Sequence, residues 1–280
     1  METALAQTAE NEKIAAMETN EDMTPSKWEK VCGQVTEAMR LHTRPFVAPL
    51  SISDDQNVRL VGTGSFVSLP NRRILLTCEH VSSVGLMGYQ LFGTETVHLH
   101  RGAFVCQPFP IDASFTEIDD SLWSQESHQA TTVPYERFAS KHSLIDKSEI
   151  LFFRGFAGEN SHYGFGVLET NGTAYCSQQK VVENDNPCHF EIFWEPSKTQ
   201  FISSTSEAER VHVQCDDPGG LSGSLVWNTR YIEASKNGRQ WSPDMAVVTG
   251  LLQRWDSRTK TVLALRVEHL KRWMDDHSKT

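Results

Sequence analysis

The pattern of apolar and polar positions divides the chain into three regimes. Between Thr24 and Arg44 the apolar residues Trp28, Val31, Val35 and Met39 recur at helical spacing, which predicts one helix with a buried face. Thr24 is placed to cap it and Pro25 to occupy its first turn; Pro45 and Pro49 close the segment. From Val58 onward the spacing changes to short β-branched and aromatic runs separated by Gly, Asn, Asp and Pro. These runs cover 58–69, 73–78, 97–106, 149–156, 163–176, 189–194, 211–214, 224–228, 246–254 and 261–266. Many short strands with turn residues between them, and no alternating helical pattern, predict an all-β barrel or sandwich. Residues 120–146 are polar and irregular and read as a connection between two halves; 230–243 read as a long surface loop with Lys236-Asn237-Gly238 as its turn signal. Val267 to Met274 forms a final amphipathic helix. No internal repeat stands out.

Charge changes this picture mainly at the start of the chain. The formal net charge is −10, which disfavours nucleic acid and anionic membranes as main partners. Residues 1–22 contribute Glu2, Glu10, Glu12, Glu18, Glu21 and Asp22 against a single Lys13, so 1–23 is expected to be a solvated acidic tail. No apolar run approaches the length needed to span a bilayer, and Met1 to Gln7 lacks the basic-then-apolar grammar of a secretion signal. The expectation is a cytoplasmic protein. Its six cysteines (32, 78, 106, 176, 188 and 215) show no Cys-x-x-Cys spacing and read as free thiols.

Two stretches carry chemistry. Gly220-Leu221-Ser222-Gly223 places a serine between glycines, just past Asp216-Asp217-Pro218-Gly219. A serine nucleophile needs backbone N–H groups nearby for its oxyanion, and glycines let the chain curl to supply them. Upstream, Leu75-Leu76-Thr77-Cys78-Glu79-His80 puts a histidine after an apolar run, and a histidine is the usual base for such a serine. Each motif alone has a structural explanation, a tight turn for Ser222 and a core histidine for His80. Their order, with Gly62-Thr63-Gly64-Ser65 before and Val247-Val248-Thr249-Gly250-Leu251 after, resembles the trypsin-like (chymotrypsin-fold) serine peptidases over roughly residues 55–275.

That resemblance implies an all-β fold of two six-stranded antiparallel β-barrels, 45–130 and 131–265. The N-terminal helix (24–44) and a C-terminal helix (266–280) would flank them. It implies a Ser222–His80–Asp triad with no cofactor and no metal. Asp112, between Ile111 and Ala113, fits the aspartate best, with Asp119 and Asp120 as the other candidates. The oxyanion donors would be the N–H groups of Gly220 and Ser222. The specificity pocket would lie between Asp216 and the strand carrying Gln253, Arg254 and Trp255. Asp216 would favour cleavage after Arg or Lys; Arg254 would neutralise it or attract an acidic side chain, and Trp255 would narrow the pocket. The chain departs from the family in three places. Val81 follows the histidine where secreted members often have a cysteine, Glu79 precedes it where a small residue is usual, and Leu221 replaces an acid tied to zymogen activation. The implied partners are a protein or peptide substrate and a regulatory protein.

Three rival readings compete with this one. An α/β-hydrolase would use Ser222, Asp256 and His269 in that order, but Ser224 breaks its Gly-x-Ser-x-Gly elbow. His98 with His100, or Cys188 with His189, supply too few ligands for a zinc site. A silent relative of the peptidases could act as a protein-binding module.

Overall fold

The computed structural model describes residues 25–53, 57–125, 127–164, 167–181, 186–195, 207 and 217–277. The predicted first helix is α1 (Pro25–Thr43). Val31, Val35 and Met39 lie on its buried face. A first sheet follows, made of β1 (Val47–Ser53), β2 (Val58–Leu69), β3 (Arg72–Thr77), β4 (Met87–Gln90), β5 (Val97–His100), β6 (Val105–Gln107), β7 (Ala113–Glu117) and β8 (Val133–Pro134), with α2 (Glu79–Ser82) and α3 (Asp120–Gln125) between strands. Its order is β5-β4-β1-β2-β3-β7-β6, with β8 parallel to β2. The second sheet contains β9 (Leu151–Gly164), β10 (Val167–Ser177), β11 (Gln179–Lys180), β12 (His189–Phe193), β13 (Leu225–Asn228), β14 (Val247–Asp256) and β15 (Thr261–Arg266), in the order β10-β9-β13-β14-β15-β12-β11. The helix α4 (Tyr231–Lys236) lies between β13 and β14, and α5 (Val267–His277) ends the described chain.

The two halves are antiparallel sheets with few helices, as the strand grammar predicts. They share one core. Phe66, Leu75, Leu76 and Phe115 of the first sheet pack in the same cluster as Phe152, Leu225, Val248 and Leu251 of the second. Leu270, Trp273 and Met274 of α5 complete it. A smaller cluster, with Phe153, Trp194, Val226 and Val262, lies within the second sheet. The last helix therefore pins both halves, and α1 covers β9 and β10.

Several local expectations are corrected. The run 97–106 is two strands, because Gly102 and its neighbours form a turn between β5 and β6. β1 is unexpected, since it contains Pro49; Pro49 lies opposite Thr63 in the β1–β2 register. Among the described residues the two sheets hold eight and seven strands, counting the two-residue strands β8 and β11. The expected loop 230–243 contains α4, which the carboxylate of Glu149 caps by accepting from the backbone N–H of Ile232 and Glu233 (both 3.0 Å). The acidic tail and the run 211–214 lie outside the described residues.

Candidate active site

β3 ends at Thr77, whose hydroxyl donates to the Thr63 carbonyl at 2.8 Å. The chain then turns through Cys78 into α2, anchored by buried Val81. This one-turn helix presents His80. Asp112 stands at the entry to β7 with φ +42°, a left-handed conformation that Asp tolerates better than most residues. Its carboxylate is buried and lies 2.8 Å (Oδ2) and 3.0 Å (Oδ1) from His80 Nδ1. The backbone N–H of His80 donates to the same carboxylate at 3.1 Å. An ionised carboxylate only accepts, so Nδ1 carries the proton and Nε2 remains the basic nitrogen.

Burial works against the charge on Asp112. The hydrogen bonds from the ring and backbone of His80, and the charges of His80 and Arg254, outweigh it and hold the carboxyl below its ordinary value. Cys78 lies beside the pair, and its sulfur and the ligating atoms of His80 and Asp112 all fall within 4.8 Å of one another. Burial first, and then the charge of Asp112, push the thiol well up. The thiol donates to the Leu252 carbonyl at 3.3 Å.

Ser222 sits in a turn held by both sheets. The Leu221 side chain is buried in the smaller core, and its N–H donates to Pro218 at 3.0 Å. Gly220 (φ +97°) and Gly223 (φ +94°) adopt conformations that disfavour L side chains. From the first sheet, the Thr63 N–H donates to the Ser222 carbonyl at 2.9 Å. The Thr63 hydroxyl donates to the Gly220 carbonyl at 2.9 Å while accepting from Phe156 N–H at 2.9 Å. From the second, the Leu252 carbonyl accepts from Gly223 N–H at 2.9 Å. The N–H groups of Gly220 and Ser222 have no acceptor among the described residues. The Ser222 hydroxyl donates to the Gln253 carbonyl at 2.7 Å, and no hydrogen bond joins it to His80 among the described residues.

The remaining candidates fall in different places. Gln253 is fully buried. Its Nε2 donates to the Ile111 carbonyl and, at 3.4 Å, to that of Asp112. Gln253 therefore ties the aspartate loop through its side chain and Ser222 through its backbone. Arg254 is half exposed and lies 3.7 Å from Asp112 Oδ2, with its guanidinium 4.9 Å above the Phe109 ring. Trp255 is partly exposed beside it. Asp216 lies outside the described residues. Asp119 accepts from Ser121 N–H at 2.7 Å as a turn cap, and Asp120 pairs with Arg73 at 2.6 Å; neither bonds to His80. Asp256 pairs with Arg258 and His269 bonds to the Pro187 carbonyl, so the hydrolase-type triad does not form hydrogen bonds with Ser222. Sequence reasoning does not single out the roles of Thr63 or the Gln253 side chain. Thr63 carries a weak signal, as the only hydroxyl between the two glycines of Gly62-Thr63-Gly64.

No family model matches the chain, and no curated protein matches it. Solved structures do. The active form of the Rv3671c protease from M. tuberculosis matches with a TM-score of 0.51 at 14% identity, over 87% of this chain and 85% of that one. A mutant of human heparin binding protein (CAP37) matches with a TM-score of 0.51 at 10% identity, over 85% of this chain and 92% of that one. Such likeness speaks to the fold, and with the paired antiparallel sheets and terminal helices it establishes that the chain has the two-barrel chymotrypsin fold of the serine proteases.

Proposed function

We propose that the protein is a serine endopeptidase in which Ser222 is the nucleophile, His80 the base and Asp112 the residue that orients it. The observation that carries the reading is the buried Asp112 bonded to His80 Nδ1, with Nε2 left basic. In the reaction, His80 Nε2 removes the Ser222 proton as Oγ attacks the peptide carbonyl. The N–H groups of Gly220 and Ser222, without acceptors among the described residues, donate to the resulting oxyanion. His80 then returns its proton to the leaving amine, and a water molecule repeats the sequence on the acyl-enzyme. Asp112 stays ionised throughout and stabilises the imidazolium. The chain's own groups complete this chemistry without a cofactor.

The substrate is a protein or peptide. The half-exposed Arg254 cation beside the triad favours an acidic side chain near the cleaved bond, against the basic preference that Asp216 alone would suggest. We read the targets as one or a few proteins inside the cell, in stress or defence, with a regulatory partner. No helix among the described residues is long and apolar enough to cross a membrane. The test is turnover of a peptide library by wild type, Ser222→Ala and His80→Ala. Wild type should cleave and both variants should lose activity by a similar factor, because the two act as a unit. A second reading, a silent binding module, draws on the Ser222 hydroxyl resting on Gln253 instead of His80; an inactive wild type with a folded site would favour it.

A further inference from the structure

Asp112 belongs to the first half of the molecule, yet the loop that carries it is held by the second. Three consecutive carbonyls take part. That of Pro110 lies 2.9 Å from Nε2 of His189, and those of Ile111 and Asp112 accept from Gln253 Nε2. The ring of His189 also stacks on Phe109, with centroids 5.4 Å apart and planes 8° apart, and Arg254 covers Phe109 as well. Within the loop, Ile111 and Asp112 both direct their N–H groups to the Pro108 carbonyl at 3.2 Å. Asp112 itself is in the left-handed region, which few non-glycine residues adopt, although Asp tolerates it better than most. A loop in that conformation persists when its surroundings over-determine it. Here the surroundings are side chains of β12 and β14.

His189 is the unexpected member. It is buried at the start of β12 and touches none of the reacting groups. Burial lowers its affinity for a second proton, outweighing the opposing effects of the Pro110 carbonyl, the Gln253 side chain and the Asp112 charge, which favours the neutral ring. A carbonyl can only accept, so the single ring proton sits on Nε2 and is donated to Pro110. The ring is thus fixed in tautomer and by stacking, and it holds the loop two residues before Asp112.

Resting on the triad reading above, we propose that His189 is a positioning residue: by clamping Phe109 and Pro110 it sets where Asp112 meets His80 Nδ1. Displacing a catalytic group by about 1 Å can cost about 10²-fold in rate. His189→Ala should therefore lower kcat by about 10²-fold with KM little changed, since no substrate contact is removed. His189→Gln places an amide donor near the position of Nε2 and should recover most of that loss.

The decisive readout does not need activity. The proton between His80 Nδ1 and Asp112 gives a far-downfield NMR resonance, to be followed in Ser222→Ala protein with and without the His189 changes. The expected result is a clear resonance in Ser222→Ala, shifted or lost on adding His189→Ala, and regained with His189→Gln. Thermal unfolding of each protein establishes that it is folded. An unchanged resonance in folded Ser222→Ala/His189→Ala, or the same loss in the His189→Gln protein, would overturn the assignment. If wild type proved inactive while the resonance responded as expected, the endopeptidase reading would fail and the clamp would stand.

Discussion

Replacing Gly223 by Ala probes the junction that holds the nucleophile. Gly223 has φ +94°, and a Cβ there would sit 2.0 Å from the Thr63 carbonyl oxygen and 2.5 Å from Thr77 Oγ1. Neither neighbour can yield easily. Thr63 is paired within the first sheet, and its carbonyl accepts the Thr77 hydroxyl at 2.8 Å. Gly223 in turn donates to Leu252 of β14 at 2.9 Å, so a shift would strain both sheets. Backbone strain of about 1–3 kcal/mol and overpacking of about 1–3 kcal/mol give a loss of about 4 kcal/mol. Total stabilities of domains are about 5–15 kcal/mol, so this loss is a large share of the whole. At about 2–4 °C per kcal/mol for a chain of this size, the variant's Tm should fall by about 8–16 °C. Gly238→Ala is the control. Gly238 has φ +61° with nothing within 4 Å of an added methyl, so it carries the backbone cost alone, about 1–2 kcal/mol. Urea and thermal denaturation by circular dichroism measure both. Equal losses in the two variants would mean that the close approach of β2 and β3 does not demand a glycine at 223.

Asp112→Asn should lower turnover by up to about 10⁴-fold by presenting the wrong His80 tautomer, whereas Asp119→Asn and Asp120→Asn should be mild; a major loss at the latter pair would move the orienting role. The folded-state pKa of Asp112 is depressed, so its contribution to stability is present above the unfolded carboxyl value, about 3.9, and is lost as pH falls through the folded value. The stability gap between wild type and Asp112→Asn in urea should accordingly shrink from about pH 7 to about pH 3. Glu149→Ala leaves the buried N–H of Ile232 without an acceptor and should cost about 1–3 kcal/mol, while Glu149→Gln, which keeps one carbonyl oxygen, should cost less in the same unfolding assay. Arg254→Glu should reverse a preference for acidic residues in peptide-library profiling; an unchanged profile would remove Arg254 from substrate recognition.

The parts of this site that are legible in the sequence are those whose signal is local. A glycine on each side of the Leu221-Ser222 pair announces a curled backbone, and the apolar run before His80 announces a strand end. Asp112 can be picked from its apolar neighbours, and the burial of Val31, Val35 and Met39 follows directly from their spacing. What escapes depends on partners distant in the chain. The side chain of Gln253 reads as one more polar residue near a pocket, because the carbonyl it serves at Ile111 is 142 positions away. His189 escapes for the same reason, since a backbone carbonyl leaves no side-chain signature for its partner to match. The helix α4 looks like a loop because its cap, Glu149, is 83 residues before Ile232. β1 is hidden by Pro49, a residue that argues against a strand unless the neighbouring register is known.

If Ser222 is a nucleophile activated by His80, a fluorophosphonate probe should react with it and with no other serine. Mass-spectrometric mapping of the adduct reads this out without knowledge of the natural substrate. One adduct is expected, on Ser222, and it should disappear in His80→Ala protein verified as folded by circular dichroism. No adduct on the wild type, or labelling of Ser222 that persists undiminished without His80, would contradict the assignment.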